Sequence, residues 1–415
     1  MLDKKHRNGE TMQVWKRQAA LFLSSQSVSM FGSSIVQYAI MWHLTLTTES
    51  GLMMMFYIIC GFLPTFFLAP FAGVWADRYN RKKLIISADG LIAAATLILA
   101  ILFLSGIQYM WLLFVVVTIR AIGAGIQTPA VGAVLPQIVP EEKLMRVNGV
   151  NGTLQSIIFF ASPLLSAGLL SITTLEMILF VDVVTAVVAI GILLFLKLEH
   201  VRKEVKNEGY FTEFKAGLRY ARSQPYLKWF FIFFSILFFL MAPASFLTPL
   251  QVTRAFGGDV WRLTAIELTF SIGMMLGGVL ISAWQGFQNR VHTMVLGGLV
   301  FGLCTMLFGI VPNFVLYLVI MGICGISMPI FNTPTMTMLQ ENIDASYIGR
   351  VFGLFSMISS SMMPMGMLLF GPLADVIDIK WILMITGVFM MGLSIAMLKT
   401  KALVQAGTKS QDING

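Results

Sequence analysis

Long apolar segments recur along the whole chain, and short polar connectors separate most of them. Each segment has about 18 or more mainly apolar residues, which is long enough for a helix to cross a bilayer. Because the connectors are short, consecutive helices are expected to run antiparallel. The pattern predicts twelve membrane-spanning helices, at residues 19–46, 51–75, 84–106, 110–132, 148–172, 174–196, 228–253, 262–285, 291–311, 313–335, 350–375 and 379–399.

The composition agrees with this pattern and excludes several classes of protein. Of the 415 residues, 57% are hydrophobic and 12% are charged, whereas a soluble domain carries about 25% charged residues. The cysteines Cys60, Cys304 and Cys324 lie inside predicted spans, without the spacing of a metal site or a disulfide framework. There is no Walker motif, so ATP is not expected to be the energy source. We therefore expect an all-α membrane protein that is not an enzyme and uses no cofactor or metal.

The basic residues are distributed unevenly between the two ends of the predicted helices. Of the 28 lysines and arginines, 24 lie in the termini and in alternate connectors, and only Arg254, Arg262 and Lys380 lie on the other side. Basic residues collect on the cytoplasmic side of membrane proteins. The pattern therefore predicts a multi-pass protein of the bacterial inner (cytoplasmic) membrane with both termini in the cytoplasm. It also explains the net charge of +8 without a nucleic-acid partner.

The chain contains an internal repeat. The segment Trp75–Arg81 matches Trp284–Arg290, and Gln137–Gly149 resembles Gln340–Gly353. The matches run in the same direction along the chain, so they indicate two parallel halves of six helices each.

One long polar stretch separates these halves. The predicted organisation is an N-terminal segment 1–18, a six-helix half 19–196, a central loop 197–227, a second six-helix half 228–399 and a tail 400–415. Within the central loop, Tyr210–Tyr220 is expected to form a short amphipathic helix at the membrane surface.

The connector after the second predicted span carries a recognisable motif, Gly73-Val-Trp-Ala-Asp-Arg-Tyr-Asn-Arg-Lys-Lys-Leu-Ile. It resembles the signature of major facilitator transporters, Gly-x-Leu-Ala-Asp-Arg-x-Gly-Arg-Lys-x-x-Leu. Trp75 replaces the usual leucine and Asn80 replaces the second glycine. Because asparagine tolerates the left-handed backbone conformation, we expect the turn at Asn80 to survive. The resemblance implies the major facilitator fold, in which two six-helix halves are related by a parallel repeat.

The charged residues of this connector suggest a conformational latch, made of Gly73, Asp77, Arg78, Arg81, Lys82 and Asp89. Asp77 could accept hydrogen bonds from the start of a neighbouring helix and face its positive dipole end. Arg81 could bridge to an acid across the interface between the halves. Asp89 is close in sequence to Arg81, so it is the expected latch partner. The alternative is that these charges only set the topology.

Further segments resemble the macrolide-efflux group of bacterial drug:proton antiporters. Among them are Arg120-Ala-Ile-Gly with Thr128-Pro-Ala, and Ile266–Met274 with Gly277-Gly278. The resemblance implies a secondary transporter that exports a small amphipathic substrate, such as a macrolide, in exchange for protons. Export of a siderophore or metabolite is the alternative within this fold, and a non-transporting receptor or sensor is the alternative from another class. We expect the protein to be a monomer in the lipid bilayer.

Three ionisable residues inside predicted spans, Glu267, Arg120 and Asp182, are candidates for proton coupling, because such residues are costly in lipid. Arg120 lies about 15 Å deep in its span, at a position that takes part in proton coupling in the resembling family. Asp182 lies at similar depth in the same half, so it is the candidate partner. Glu267 is the only acid inside a span of the second half, and a desolvated carboxyl can carry a proton at neutral pH. The alternatives are a structural ion pair for the first two and an acid at a helix start for Glu267.

Overall fold

In the computed structural model, which describes residues 2–198, 210–344 and 347–408, the chain folds into α-helices. Twelve candidate spans in these residues are long and apolar enough to cross a membrane, which confirms the predicted number. The helices are α1 Leu2–Thr48, α2 Gly51–Arg78, α3 Arg81–Leu104, α4 Met110–Ile138, α5 Glu141–Ile172, α6 Leu175–Leu194, α7 Tyr210–Ser223, α8 Pro225–Phe246, α9 Thr248–Phe256, α10 Val260–Trp284, α11 Arg290–Phe308, α12 Phe314–Asn342, α13 Ile348–Val376, α14 Ile379–Lys399 and α15 Lys401–Gly407.

Several helices extend beyond the apolar segments that predicted them. Helix α5 begins at Glu141 rather than at residue 148, because Pro140 precedes it and the acids Glu141 and Glu142 favour the positive end of a helix. Helix α12 also extends beyond its predicted span, which ended at residue 335, and continues to Asn342. Hydropathy reports the part of a helix that lipid surrounds, so the polar turns at its ends are not seen.

The seventh span is broken into two helices, which the sequence did not predict. Helix α8 ends at Phe246 and α9 begins at Thr248, and Pro249 has no N–H to continue the ladder of hydrogen bonds. A buried side chain holds α9 in place: the amide of Gln251 donates to the carbonyl of Phe308 at 2.6 Å and accepts from the hydroxyl of Tyr317 at 3.0 Å.

The chain divides into two compact units. The first unit comprises Met1–His43 and Ile59–Lys206, and the second comprises Leu44–Ile58 and Asn207–Gly415. The end of α1 and the start of α2 therefore belong to the second unit. The central loop is described only in part, because residues 199–209 lie outside the described residues, but α7 covers the predicted amphipathic segment.

One group of three helices pairs in the same way in each unit. In the first unit α3 packs against α4 and α6, and in the second unit α11 packs against α12 and α14. These are the third, fourth and sixth spans of each half, so the packing confirms the parallel repeat of six-helix halves.

Small residues allow close helix packing in both units. A Cβ at Gly32 of α1 would lie 1.8 Å from the Oγ1 of Thr185 on α6, and a Cβ at Gly273 of α10 would lie 2.2 Å from the carbonyl oxygen of Gly322 on α12. Any larger residue at either position would force the two helices apart.

Candidate functional site

A buried ion pair lies within the first unit. The guanidinium of Arg120 on α4 contacts the carboxylate of Asp182 on α6. The side chains are 11% and 2% exposed, respectively. Asp182 is therefore the partner of Arg120, as the sequence suggested.

Helices α1 and α3 complete the hydrogen bonding of this pair. Arg120 donates to the Oγ1 of Thr96 at 2.7 Å and to the carbonyl oxygen of Ser33 at 3.1 Å. Asp182 accepts from the hydroxyl of Ser33 at 2.7 Å. The single hydroxyl proton of Thr96 can go either to Asp182, at 3.0 Å, or to the carbonyl of Ile92, at 2.8 Å. The pair is thus neutral as a whole and held by four helices, α1, α3, α4 and α6.

A second acid of the first unit, Asp89 on α3, forms no ion pair with any described residue. Its Oδ1 accepts from the hydroxyl of Ser29 at 2.7 Å and from the amide of Gln127 at 2.9 Å. Its Oδ2 is buried and has no hydrogen-bond partner among the described residues.

The basic residues of the connector motif bond elsewhere within the first unit. Arg81 donates to the carbonyls of Ala76 and Ala133 and to the side chain of Gln137, at 2.9–3.0 Å. Lys82 donates to the carbonyls of Leu194 and Leu196 at 2.7 and 2.8 Å. These contacts fasten the start of α3 to its own unit, and Asp89 is not among their partners.

The other motif residues lie at the surface of the same unit. Asp77 is half exposed and pairs with Arg81 one turn further along, at 3.5 Å. A Cβ at Gly73 would meet no other atom within 4 Å, and Arg78 ends α2 beside a shallow groove. The latch stays a prediction.

The turn at Asn80 survives, but not through a left-handed backbone. Asn80 has φ −65° and caps α3, its side chain accepting from the N–H of Lys83 at 3.3 Å. Asparagine is a favoured N-cap because its oxygen binds a free helix N–H. The expected left-handed conformation was therefore wrong.

Glu267 lies on α10 in the second unit. Its side chain is half-buried, and its carboxyl has no hydrogen bond or ion pair within the part of the chain that the structure describes. It is a carboxyl group in a membrane span without a neutralising partner there.

The second unit contains a cluster of polar contacts around one acid, Asp375, which the sequence did not reveal. The carboxylate of Asp375, at the end of α13, accepts from the N–H groups of Gly51 and Leu52 at 2.7 and 2.9 Å and from the hydroxyl of Ser50 at 2.7 Å. Arg254 completes the cluster at 2.9 Å. The carboxylate thus caps the start of α2, where free N–H groups and the helix dipole favour an anion. No local signal joins residues more than 320 positions apart.

Twelve membrane-spanning helices in two parallel six-helix halves define a secondary transporter fold, and buried charges in such a fold mark pathways of ions or substrates. The family model of the Major Facilitator Superfamily matches residues 19–367. The chain belongs to the Major Facilitator Superfamily and is a multi-pass membrane transporter.

Relatives with stated functions include macrolide exporters. The chain is 31% identical over 390 residues to Macrolide efflux protein A of Streptococcus pyogenes, covering 93% of this chain and 96% of that protein. It is 32% identical over 313 residues to Macrolide efflux protein A of Enterococcus faecalis, covering 74% and 97%. It is 21% identical over 374 residues to the Staphyloferrin A transporter of Staphylococcus aureus (strain NCTC 8325 / PS 47), covering 88% and 92%.

Solved structures share the fold at lower identity. A bacterial homologue of the iron transporter ferroportin in the inward-facing state matches with a TM-score of 0.69 at 15% identity, over 92% of this chain and 98% of that one. A POT family transporter in complex with 5-aminolevulinic acid matches with a TM-score of 0.73 at 13% identity, over 93% and 97%.

Proposed function

We propose that the protein exports amphipathic drugs of the macrolide class in exchange for protons. The observation that carries the substrate class is the similarity to macrolide efflux proteins along 93% of the chain. A binding site for such molecules is expected to be mainly apolar with a few polar groups. The spans suit this, because Arg120 is the only basic residue deep inside one of them.

Proton coupling requires carboxyl groups that gain and lose a proton during the transport cycle. Asp182 and Glu267 are the proposed groups, with Arg120 as the ion-pair partner of Asp182. Asp182 is almost fully buried against Arg120, whereas Glu267 has no cation beside it among the described residues. A change in the surroundings of either carboxyl would change its affinity for a proton.

Three further proposals concern the orientation of the protein in the membrane, its oligomeric state and its change of conformation. We place the basic ends of the helices in the cytoplasm, in the inner membrane of a bacterium, following the distribution of lysine and arginine. The protein is proposed to work as a monomer. The connector motif around Asp77 and Arg81 is proposed to act as a latch that biases an equilibrium between two conformations.

Export of a siderophore or another metabolite is a second candidate. The relative named Staphyloferrin A transporter supports it, but that protein is less similar to this chain than the macrolide efflux proteins are.

Resistance and accumulation assays separate these candidates. The full chain is expressed in a drug-sensitive bacterium that lacks its own pumps, beside an empty vector and the variant Arg120→Ala at matched membrane levels. We expect raised resistance to macrolides and lower accumulation of them, reversed by a protonophore that collapses the proton gradient. Equal macrolide accumulation in all three strains would refute the substrate class, and export of siderophores alone would favour the second candidate.

A further inference from the structure

Asp89 combines deep burial with incomplete hydrogen bonding. The residue is 2% exposed. Ser29 and Gln127 both donate to the same oxygen, Oδ1, while Oδ2 is buried without a partner among the described residues. A purely structural acceptor would normally use both of its oxygens, because an unpaired buried oxygen costs stability.

Among the residues that the structure describes, no cation neutralises Asp89 on the helices that surround it. Helix α1 contributes the hydroxyl of Ser29, and α4 contributes the amide of Gln127. The nearest basic group on α4, Arg120, is bound to Asp182 of α6. Asp182 is the acid that α6 contributes on this side, and its charge is balanced by that of Arg120.

The basic residues at the start of α3 do not neutralise it either. The hydrogen bonds described for Arg81 go to α2 and α4, and those of Lys82 go to carbonyls at the end of α6 and just beyond it. Asp89 thus accepts from neutral donors only, and the ion pair beyond it has balanced charges.

We infer that Asp89 is a proton-binding site of the first unit, with Oδ2 as the oxygen that takes up the proton from water and returns it. A buried carboxylate without a cation is costly, and such a group binds a proton instead. Oδ2 is the receiving atom, because Oδ1 already accepts two hydrogen bonds. This inference deepens the proposed proton exchange and rests on it.

The position of Asp89 along α3 indicates where the site lies relative to the Arg120–Asp182 pair. Ser29 precedes Ser33 by one turn of α1, and Asp89 precedes Thr96 by two turns of α3. Asp89 therefore lies roughly 6–10 Å nearer than the Arg120–Asp182 pair to the basic end of the unit. A proton entering through that end would meet Asp89 before it meets the pair, and a proton leaving through that end would meet Asp89 last.

Infrared spectroscopy of the purified full chain tests the site without any transport. The stretching band of protonated carboxyl groups is followed as pH is raised, in the wild type and in Asp89→Asn. We expect Asp89→Asn to lose one titrating component that remains in Glu267→Gln and in Asp77→Asn, the control at an exposed acid. Asp89→Glu should keep a titrating component. An unchanged band in Asp89→Asn would overturn the inference.

A change in hydrogen bonding separates a proton site from a structural acceptor. Ser29→Ala removes a donor that stabilises the carboxylate, so the Asp89 component should titrate at higher pH while Asp89 itself is intact. A component at the wild-type pH in Ser29→Ala would also overturn the inference. A different result concerns the proposed function alone: efflux that is indifferent to a protonophore, with the Asp89 component present, would refute proton exchange.

Discussion

Removing one charge of the Arg120–Asp182 pair should destabilise the protein far more than removing both. Asp182 is 2% exposed beside Arg120. The variant Arg120→Met removes its cation, and breaking a buried pair in this way costs about 3–5 kcal/mol. The two other hydrogen bonds of Arg120, to Thr96 and Ser33, contribute less, because an interhelical hydrogen bond in a membrane averages about 0.6 kcal/mol. The uncompensated charge of Asp182 therefore accounts for most of the expected loss of stability.

The double variant Arg120→Met/Asp182→Leu should recover most of this loss. Replacing a buried pair by apolar residues of similar volume is often neutral or stabilising. Thr96 keeps a partner in this variant, since its hydroxyl also reaches the carbonyl of Ile92 at 2.8 Å. We expect a coupling energy of about 3 kcal/mol between the two positions, which is at the upper end of the range for residues in contact.

The assay is thermal unfolding of the purified protein in detergent, for the wild type, both single variants and the double variant. The matched control is the exposed pair Asp378–Lys380, whose atoms are 2.8 Å apart.

The pKa of Asp378 is lowered, chiefly by the hydrogen bond from the Lys380 side chain, yet an exposed pair contributes less than about 1 kcal/mol. The variants Lys380→Met and Asp378→Asn should therefore change stability little. Additive losses at Arg120 and Asp182, of the same size as at the control pair, would refute the reasoning.

Three further predictions follow from the proposed function. A reporter enzyme that is active only in the periplasm should be active when fused near Gly257 and silent near Lys206, and the reverse pattern would refute the orientation. Asp77→Asn should strongly impair transport at an unchanged membrane level, whereas normal transport would reduce the motif to a topology signal. Glu267→Gln should still bind drug but lose transport driven by a pH gradient in everted vesicles, and wild-type sensitivity to an uncoupler would place the proton site elsewhere.

The fold was largely predictable because a bilayer imposes simple rules. A span must be long and apolar, so hydropathy located all twelve, and the positions of Trp75 and Trp284 revealed the repeat. What remained hidden depends on polar chemistry inside or beside the spans. The break between α8 and α9 depends on Pro249. The mean hydropathy of the residues around it stays high, so hydropathy does not show the break.

The contacts of the candidate site were predictable only where a buried charge has few possible partners of opposite charge. Arg120 inside lipid needs an acid, and Asp182 was the acid of the same half at the same depth. For Asp89 several partners were compatible with the sequence, and its proximity to Arg81 suggested a latch. In the structure its hydrogen bonds come from Ser29 and Gln127 on other helices. Neutral donors of this kind cannot be recognised before the helices are packed.

The internal repeat provides an argument that the buried charges of the first unit serve transport rather than folding. Helices α11, α12 and α14 of the second unit pack in the same pairs as α3, α4 and α6. Yet their acids and bases lie only in the terminal turns, as Arg290, His292, Glu341, Lys380 and Lys399 do. In their interiors apolar residues, glycines and hydroxyls make the contacts instead, as where Gly298 meets Ser394.

This arrangement of helices therefore forms without a buried ion pair. Buried charges are costly in a membrane and are retained when they have a function. If Arg120, Asp182 and Asp89 were only structural, apolar replacements of the kind that the second unit already uses should have served equally well. The double variant Arg120→Met/Asp182→Leu tests this directly: it should unfold at about the temperature of the wild type and still fail to transport. A stable double variant with full, protonophore-sensitive efflux would show that the pair has no part in coupling.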